Sequence, residues 1–273
     1  MKSLRIQKLV ATGNDFLFVD ARSELPKVFA KFSRRDLVRR LCDRHFGIGA
    51  DGLIFVEMGS GSGRLRWDFY NCDGSSAEMC GNATRCFGRW AHRELNLANV
   101  ELETLPGLVR IESDEEVVSH LNYLRVSFEP LAFPIDGVMR NATLVNTGVP
   151  HAVVEIDDVK RADQEMGLIR ALRFHPKAGE KGANVTFLSR TAPDMFSTVT
   201  FERGVEDFTL SCGTGVLAAA AVGLKDSASK RAILHSPGGT LEVEFGEDWK
   251  GATLRGPARF LFETSVTEDF FKE

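Results

Sequence analysis

The sequence is poor in the features that mark membrane, secreted and metal-binding proteins. Its 273 residues contain no apolar run near the ~20 residues that a transmembrane helix requires. The segment Met1–Phe16 lacks the continuous apolar region of a signal peptide. The 5 cysteines include no C-x-x-C pair, and the 6 histidines lack metal-ligand spacing. We therefore expect a cytoplasmic protein with reduced thiols, no metal and no membrane partner.

Charge and composition are those of an ordinary globular protein. The net charge is −4, and no run of Lys and Arg suggests a nucleic-acid partner. At about 100–200 residues per domain, the length allows one large domain or two modest ones. No glycine-rich phosphate fingerprint is present, and no local pattern singles out a lysine for pyridoxal phosphate (PLP). The expected partner is a small-molecule substrate, and no cofactor is expected.

Five short motifs occur twice, in the same order and at nearly constant separation. The matched pairs are Gly13 and Gly148, Gly49 and Gly182, Phe69 and Phe201, Cys80 and Cys212, and Pro106 and Pro237. The separation shrinks only slightly from the first pair to the last. Glycine-containing turns recur in many proteins, but here the cysteines fall in register as well. The repeat predicts two lobes with one topology.

Between the repeated motifs, the hydrophobic pattern predicts strands around one helix in each lobe. Segments rich in β-branched and aromatic residues indicate strands, and Pro-Gly pairs indicate hairpin turns. Ser33 is expected to cap a peripheral helix over residues 34–45. Helices are predicted over residues 82–94 and 214–224, and the second is apolar nearly all round, which predicts a buried helix.

These elements predict an α+β fold of two pseudo-symmetric lobes. Each lobe is expected to be a mostly antiparallel β-sheet or barrel wrapped around a central buried helix, with the active site in the cleft between lobes. The N-terminal lobe is expected to span residues 1–130, joined by the last strand at about residues 258–273. The C-terminal lobe is expected to span residues 131–257. The charged segment 112–120 and the residues up to Arg140 are the expected connection.

Each repeated cysteine stands where a predicted helix begins and is followed by glycine. A helix N-terminus offers unpaired N–H groups and a partial positive charge, which attract carboxylates and favour a thiolate. Gly81 and Gly213 allow a ligand to approach the backbone closely. Two thiols on opposite faces of one α-carbon suit racemisation, because one removes the α-proton and the other delivers a proton. For Cys42, Cys72 and Cys86, a structural role is the simpler interpretation.

Six ordered segments resemble the diaminopimelate epimerase family over nearly the whole chain. They are TGNDFLFVD, FGIGADGLIFVE, FYNCDGSSAEMCGNATRC, PHAVVEIDD, FERGVEDFTLSCGTG and SPGGTLEVEF. The resemblance implies a PLP-independent, two-cysteine isomerase without a cofactor, usually a homodimer. It also implies interconversion of LL- and meso-diaminopimelate in lysine and peptidoglycan-precursor biosynthesis.

The resemblance also implies a role for each matching residue. Cys80 and Cys212 are the implied acid/base pair. The implied ligands of the reacting α-carboxylate are Gly81, Asn82, Gly213 and Thr214. The implied contacts with the rest of the substrate, largely its distal end, are Asn14, Asn71, Asn184 and Arg203. Glu202 is implied to hold the α-ammonium or to assist a thiol through His151. An arginine suits the distal carboxylate because its planar fork binds in a bidentate manner.

Two departures from the family pattern keep other interpretations open. Val149 stands where many members have asparagine, and Gly52 stands where some have glutamine. One alternative is a PLP-independent racemase of another amino acid, of the histidine or proline type. Another class is a thiol redox protein, and a further one is a non-catalytic member that binds a ligand. A structural role remains the alternative for Asn14, Asn71, His151, Asn184, Glu202 and Arg203.

Overall fold

The chain divides into two compact units, Met1–Ser119 with Pro257–Glu273, and His120–Gly256. The computed structural model describes residues 3–26, 29, 31–135 and 137–271. The boundary between Ser119 and His120 falls inside the charged segment 112–120. Among the described residues, we find no helix with the length and apolar composition of a transmembrane segment.

The first unit is a mixed, mostly antiparallel sheet with two helices. Its strands are Ser3–Ala11 (β1), Asn14–Asp20 (β2), Gly52–Met58 (β3), Leu65–Asn71 (β4), Asn99–Thr104 (β5), Gly107–Ser113 (β6), Val117–His120 (β7) and Arg259–Thr267 (β17). Its helices are Arg34–Cys42 (α1) and Gly81–Leu95 (α2). The pairing order is β17–β1–β2–β3–β4–β5–β6. The β2–β3 and β4–β5 pairs are parallel, and the others are antiparallel.

The second unit is built in the same way. Its strands are Phe128–Ile135 (β8), Val138–Asn146 (β9), Pro150–Glu155 (β10), Asn184–Ala192 (β11), Met195–Glu202 (β12), Asp207–Thr209 (β13), Arg231–Ser236 (β14), Gly239–Phe245 (β15) and Ala252–Gly256 (β16). Its helices are Met166–Arg173 (α3) and Gly213–Leu224 (α4). The pairing order is β8–β9–β10–β11–β12–β14–β15–β16, and β13 pairs on β12 as a short addition.

The two pairing orders repeat strand by strand. Parallel pairs occur at β2–β3 and β4–β5 in one unit and at the equivalent β10–β11 and β12–β14 in the other. The predicted Pro-Gly turns join β5 to β6 and β14 to β15 as antiparallel hairpins. The predicted α+β fold with two pseudo-symmetric lobes is therefore confirmed.

A central helix packs against the strands of each unit. In the first, α2 contacts β1, β5, β6 and β17 and buries Phe87 and Trp90. In the second, α4 contacts strands β9 to β12, β14 and β15, and all its residues except Thr214 are buried. The run of alanines in α4 explains this burial, because small apolar side chains let a helix lie close to the surrounding strands.

The peripheral helix α1 begins as predicted and ends early. Ser33 caps it by accepting a hydrogen bond from the Asp36 N–H at 3.1 Å. The helix ends at Cys42 rather than continuing to His45. The Asp43 carboxylate accepts the His45 N–H at 2.7 Å, which turns the chain into a loop. The local side-chain bond thus competes with the helical ladder.

Candidate active site

Cys80 is the N-cap of α2. Its backbone is extended, with φ −148° and ψ 123°. The Thr84 N–H donates to its carbonyl at 3.0 Å, so the first helical turn closes on this residue. The half-buried thiol does not cap the helix, and its Sγ lies 3.7 Å from Asn14 Oδ1. The sulfur therefore stands at the end of the helix that attracts anions.

A buried polar cluster sets the direction of the Asn82 amide at the first turn of α2. Thr12 Oγ1 and Arg85 Nη2 both donate to Asn82 Oδ1, at 3.1 and 2.7 Å. Arg85 also donates to the Gly81 carbonyl at 3.1 Å. Since its oxygen accepts these bonds, Asn82 directs its Nδ2 toward Asn14 Oδ1, 3.4 Å away. The amide nitrogen is thus aimed at the side of the helix end where Cys80 lies.

The Asn14 amide is oriented by a carboxylate. Asn14 Nδ2 donates to Asp51 Oδ2, and Asp51 forms an ion pair with Arg44 at 2.7 Å. Asn14 Oδ1 therefore faces the opposite way, toward Cys80 and Asn82. This carbonyl oxygen accepts from a Cys80 thiol, so the contact stabilises the protonated form of the sulfur.

Cys212 is the N-cap of α4, with φ −109° and ψ 112°. The Val216 N–H donates to its carbonyl at 2.8 Å. Its Sγ lies 3.4 Å from Thr214 Oγ1. Thr147 Oγ1 donates to the Thr214 carbonyl at 2.8 Å, which ties the helix start to the turn between β9 and β10. Cys212 is buried, whereas Cys80 is partly exposed.

The hydrogen bonds of the fully buried His151 define its tautomer. Asn184 Oδ1 accepts the Arg203 N–H at 2.9 Å, so Asn184 Nδ2 faces His151 Nε2 at 3.2 Å. Nε2 therefore accepts, and Nδ1 donates to Thr186 Oγ1 at 2.9 Å. Burial, followed by the positive charge of Arg203, lowers the pKa of His151 to about 3. The imidazole is neutral at physiological pH.

Thr214 connects Cys212 to His151. Its Oγ1 lies 3.0 Å from His151 Nε2 and 3.4 Å from Cys212 Sγ. With Nε2 as an acceptor, the hydroxyl donates to His151 and accepts from a Cys212 thiol. If Cys212 is a thiolate, the same hydroxyl can rotate and donate to the sulfur. This arrangement serves both protonation states of the cysteine.

Glu202 is the last residue of β12 and is half-buried. Neither ring nitrogen of His151 contacts Glu202 in the described part of the chain. Glu202 Oε1 instead accepts from the Thr209 hydroxyl. The role of Glu202, at a substrate ammonium or at a thiol through His151, stays a prediction, and Thr214 is a second group that contacts both His151 and Cys212.

Arg203 keeps most of its guanidinium donors unused within the described chain. Its Nη1 donates to the Gly182 carbonyl at 3.0 Å, and the side chain is half-buried. Among the described residues, no carboxylate lies within ion-pair distance of it. An anchored guanidinium without a carboxylate can bind an anionic ligand.

Asn71 and Asn184, two of the predicted site residues, form hydrogen bonds with other protein groups through their side-chain amides. Asn71 Nδ2 donates to Ser75 Oγ at 3.0 Å, within the turn that follows β4. The Asn184 amide is used at both ends, by Arg203 and His151. Asn71 thus shapes a turn, and Asn184 orients the buried histidine.

The positions that depart from the family pattern are structurally distinct. A Cβ at Gly52 would lie 2.7 Å from the Tyr70 carbonyl oxygen, so this strand does not accommodate a glutamine there. Val149 is half-buried, and its carbonyl accepts the Thr147 N–H at 3.3 Å. Its side chain offers no hydrogen bond to a ligand.

Three polar residues of these networks, Thr12, Thr147 and Arg85, are not among the predicted site residues. Thr12 and Thr147 each precede a repeated glycine and are therefore equivalent to one another, so the repeat itself marks them. The repeat does not mark Arg85 in this way, because the residue at the equivalent position of the second lobe is Leu217, which is apolar. Cys42 and Cys86 are buried, and burial raises the pKa of their thiols, which fits the predicted structural role, whereas Cys72 is exposed and is not the buried residue that was expected.

A family profile described as diaminopimelate epimerase matches residues 6–122 and 143–261. The chain belongs to the diaminopimelate epimerase family. The diaminopimelate epimerase of Aquifex aeolicus is 38% identical over 276 residues, covering 96% of this chain and 97% of that protein. The diaminopimelate epimerase of Methanocella arvoryzae is 33% identical and covers 99% of both chains. The chain is therefore an isomerase, as its resemblance to this family implied.

The solved structures that it resembles are more distant. The crystal structure of a probable proline racemase from Agrobacterium radiobacter, with bound carbonate, has a TM-score of 0.72 and 16% identity. The match covers 97% of this chain and 93% of that chain. At this identity the likeness establishes the fold alone, and the diaminopimelate epimerase family is the one supported by sequence.

Proposed function

We propose that this protein interconverts LL- and meso-diaminopimelate by moving the α-proton with two thiols and no cofactor. The observation that carries the proposal is the repeated placement of a cysteine at the N-cap of a central helix, at Cys80 and Cys212. A reaction that runs in both directions needs two groups of one kind, because each must act as base in one direction and as acid in the other.

The proton transfer balances without any co-reactant. The thiolate of one cysteine takes the α-proton and becomes a thiol, and the electron pair of the broken C–H bond moves into the α-carboxylate. The thiol of the other cysteine then donates its proton to the opposite face and becomes a thiolate. Negative charge that builds on the carboxylate is stabilised by the helix ends at Gly81–Asn82 and Gly213–Thr214.

Supporting groups differ for the two cysteines. For Cys212, the Thr214 hydroxyl donates to His151 when the sulfur is protonated and to the sulfur when it is not. For Cys80, Asn14 Oδ1 accepts from the thiol. His151 acts through Thr214 and is a positioning residue in this scheme, rather than a proton donor, since its pKa is lowered to about 3.

Arg203 supports a substrate with a second carboxylate. Its anchored guanidinium has no carboxylate partner among the described residues, and a bidentate fork suits the distal carboxylate of diaminopimelate. We assign Glu202 to a substrate ammonium, because a half-buried carboxylate at the end of β12 precedes Arg203 directly. Asn14, Asn71 and Asn184 complete the proposed set of substrate contacts, and their amides are held by Asp51, Ser75 and His151.

Isotope exchange tests the proposed reaction. Reduced protein is incubated with LL- or meso-diaminopimelate in deuterated water without PLP, and deuterium at the α-carbon is measured as the isomers interconvert. We expect exchange coupled to interconversion. Turnover of histidine or proline, with none of diaminopimelate, would favour the alternative racemase. Absence of exchange with every amino acid tested, in folded and reduced protein, would reject a racemase altogether.

The role of Arg203 is tested in the same assay. Arg203→Gln removes the charge, and we expect the KM for diaminopimelate to rise by about 10–100-fold, because a charged hydrogen bond to carboxylate is lost. Arg231→Gln is the matched control, since Arg231 is exposed on β14 and pairs with Glu242. An unchanged KM in Arg203→Gln would remove this residue from the substrate site.

The biological setting is proposed from the family. We propose a cytoplasmic homodimer that supplies meso-diaminopimelate for lysine and peptidoglycan-precursor synthesis. Native mass spectrometry of the purified protein tests the dimer directly, and a mass equal to one chain at all concentrations would contradict it.

A further inference from the structure

We propose that Arg85 is a positioning residue for the carboxylate site at the start of α2: it fixes the direction of the Asn82 amide and adds a buried positive charge. The role of this site rests on the proposed function. The side chain itself lies within the first unit, so the geometry that supports it is independent of the second cysteine.

The hydrogen bonds of Arg85 fix the orientation of the Asn82 amide. A guanidinium only donates, so the atom of Asn82 that faces Arg85 at 2.7 Å must be the carbonyl oxygen. The Thr12 hydroxyl both accepts from Arg85 at 3.1 Å and donates to the same oxygen at 3.1 Å. With its oxygen held twice, Asn82 presents Nδ2 on the side that faces Asn14 and Cys80. A rotated amide would present an oxygen there, and an oxygen repels a carboxylate.

Arg85 also places a positive charge inside the first unit. Arg85 is fully buried, and its Nε has no hydrogen-bond partner. Within the described residues no carboxylate forms an ion pair with it. The titratable groups that act on its charge are Cys86, Cys80 and Glu116. Burial lowers the pKa of Arg85 to about 10, so it remains a cation at neutral pH. A buried cation without a carboxylate is unfavourable unless it stabilises an anion elsewhere.

The position of Arg85 in the helix adds to this imbalance. It lies in the first turn and a half of α2, where the helix dipole is already positive, and the first turn contains no acidic residue. The Arg85 guanidinium and the positive end of the helix dipole thus lie at the same end of α2. An anion bound at that end, such as the α-carboxylate of the substrate, would be stabilised by both.

The second unit shows that the fold does not require a cation at this place. The residue equivalent to Arg85 in the repeat is Leu217, which is buried in α4. Helix α4 begins after Cys212 in the same way as α2 begins after Cys80. A purely structural need for arginine would not explain why the same helix start forms with leucine.

The experiment uses alkylation of Cys80 by two reagents that differ in charge. Iodoacetate is an anion with a carboxylate, and iodoacetamide is its neutral analogue. Each forms a thioether with the Cys80 thiolate and releases iodide. The ratio of the two rates at Cys80, measured by peptide mass spectrometry, reports how strongly the site favours a carboxylate, whether or not diaminopimelate is the substrate.

We expect Arg85→Met to lower the iodoacetate-to-iodoacetamide ratio by about 10-fold, because a buried charge and an oriented donor are both lost. Arg85→Lys keeps the charge and should recover part of the ratio. Leu217→Met is the matched control and should leave the ratio within about twofold of wild type. Should Arg85→Met fail to fold in a thermal melt, Arg85→Gln replaces it. A ratio unchanged in the folded neutral variant would overturn the proposal.

A double-mutant cycle separates positioning from packing. If Arg85 acts through Asn82, the ratio in Arg85→Met with Asn82→Ala should be close to that of Asn82→Ala alone. Independent effects would multiply and contradict the positioning role. Epimerase assays of the same variants should show a larger fall in kcat than rise in KM, since charge builds on the carboxylate in the transition state. Wild-type protein without epimerase activity would instead reject the proposed function and leave the alkylation result standing.

Discussion

The two cysteine-led helices share a backbone design and differ in the side chains that support it. Both cysteines have extended backbones, both carbonyls accept the N–H four residues on, and each is followed by glycine. Around Cys80 the support is charged, with Arg85 holding Asn82. Around Cys212 it is neutral, with His151 contacting Thr214.

This difference indicates that the two units share the backbone geometry of the helix start and differ in the charge of the side chains around it. The Asn82 amide is held in one direction, because Arg85 and Thr12 both supply donors to its oxygen. The Thr214 hydroxyl can donate to either of two neighbours, Nε2 of His151 or Sγ of Cys212. At Cys80 the neighbouring Asn82 amide therefore has one orientation. At Cys212 the neighbouring Thr214 hydroxyl can reorient when the thiol gains or loses its proton.

The largest expected effect comes from removing each thiol in turn. Cys80→Ala and Cys212→Ala should each reduce interconversion by roughly 10²–10⁴-fold, the usual contribution of a general acid or base. Each variant should still exchange the α-proton of the one isomer that the remaining thiolate reaches. Deuterium incorporation into LL- and meso-diaminopimelate, measured separately, checks both statements.

Cys86→Ala is the control for these variants, because Cys86 is buried in α2 and its pKa is raised by burial. It should retain activity near the wild-type level. If both thiol variants lost exchange from the same isomer, the two cysteines would not serve opposite faces, and the comparison between the two helix starts would fail.

The next largest expected effect is a loss of stability at acidic pH, which His151 confers on the second unit. His151 has an ordinary pKa of 6.5, lowered to about 3 by burial. Between these two pH values, His151 is protonated in the unfolded chain and stays neutral in the folded chain. The stability contributed by neutral His151 is therefore complete above pH 6.5 and is lost as the pH falls toward 3. Between about pH 7.5 and about pH 4.5, this single group removes about 2–3 kcal/mol from the free energy of unfolding.

Urea unfolding at the two pH values measures this loss. His151→Gln should lose less stability on acidification than wild type, whereas His235→Gln, at an exposed position on β14, should behave like wild type. The repeat pairs His151 with Phe16 in the first unit, which does not titrate. Hydrogen exchange should therefore increase in the second unit at acidic pH before it increases in the first, and the reverse order would contradict the assignment.

The smallest effect concerns one residue near each helix start. Gly215 and Ala83 are equivalent, since each lies three positions after its repeated cysteine. A Cβ at Gly215 would clash with Thr200 Oγ1 and lie 3.3 Å from His151 Cε1. Gly215→Ala should therefore cost about 1–3 kcal/mol of stability by overpacking and reduce activity through His151.

The reciprocal change should be milder. Ala83→Gly should cost about 1 kcal/mol through helix propensity and leave the activity close to wild type. Thermal unfolding and the exchange assay measure both variants side by side. Equal loss of activity in the two would show that the close packing around His151 has no special role.

Much of the fold was predictable because it depends on local pattern and on repetition. The repeated motifs, the Pro-Gly hairpins and the apolar helix at 214–224 are all visible along the chain, and the observed α4 begins one residue earlier. The end of α1 was not predictable from hydrophobic spacing, because the Asp43 side chain stops the helix by binding N–H groups beyond it.

The candidate site was predictable to a lesser degree. Cysteine, glycine and the small polar residue that follows are adjacent in sequence, so the helix-end site can be recognised there. Asn184 and Asn71 were predicted to contact a substrate, and this stays a prediction, while the structure adds contacts of their amides with His151 and Ser75. An asparagine in a turn and one that binds a ligand have the same local sequence, and only the surrounding contacts distinguish them.

The presence of two lobes that each start a central helix with a cysteine can be read from the chain, because turn residues, apolar runs and their separation are local properties. The groups that support each cysteine come together only through tertiary packing. Thr12 meets Asn82, and His151 meets Thr214, although each pair is far apart along the chain. The direction of a buried hydrogen bond depends on every donor and acceptor around it, and strands distant in sequence supply those groups.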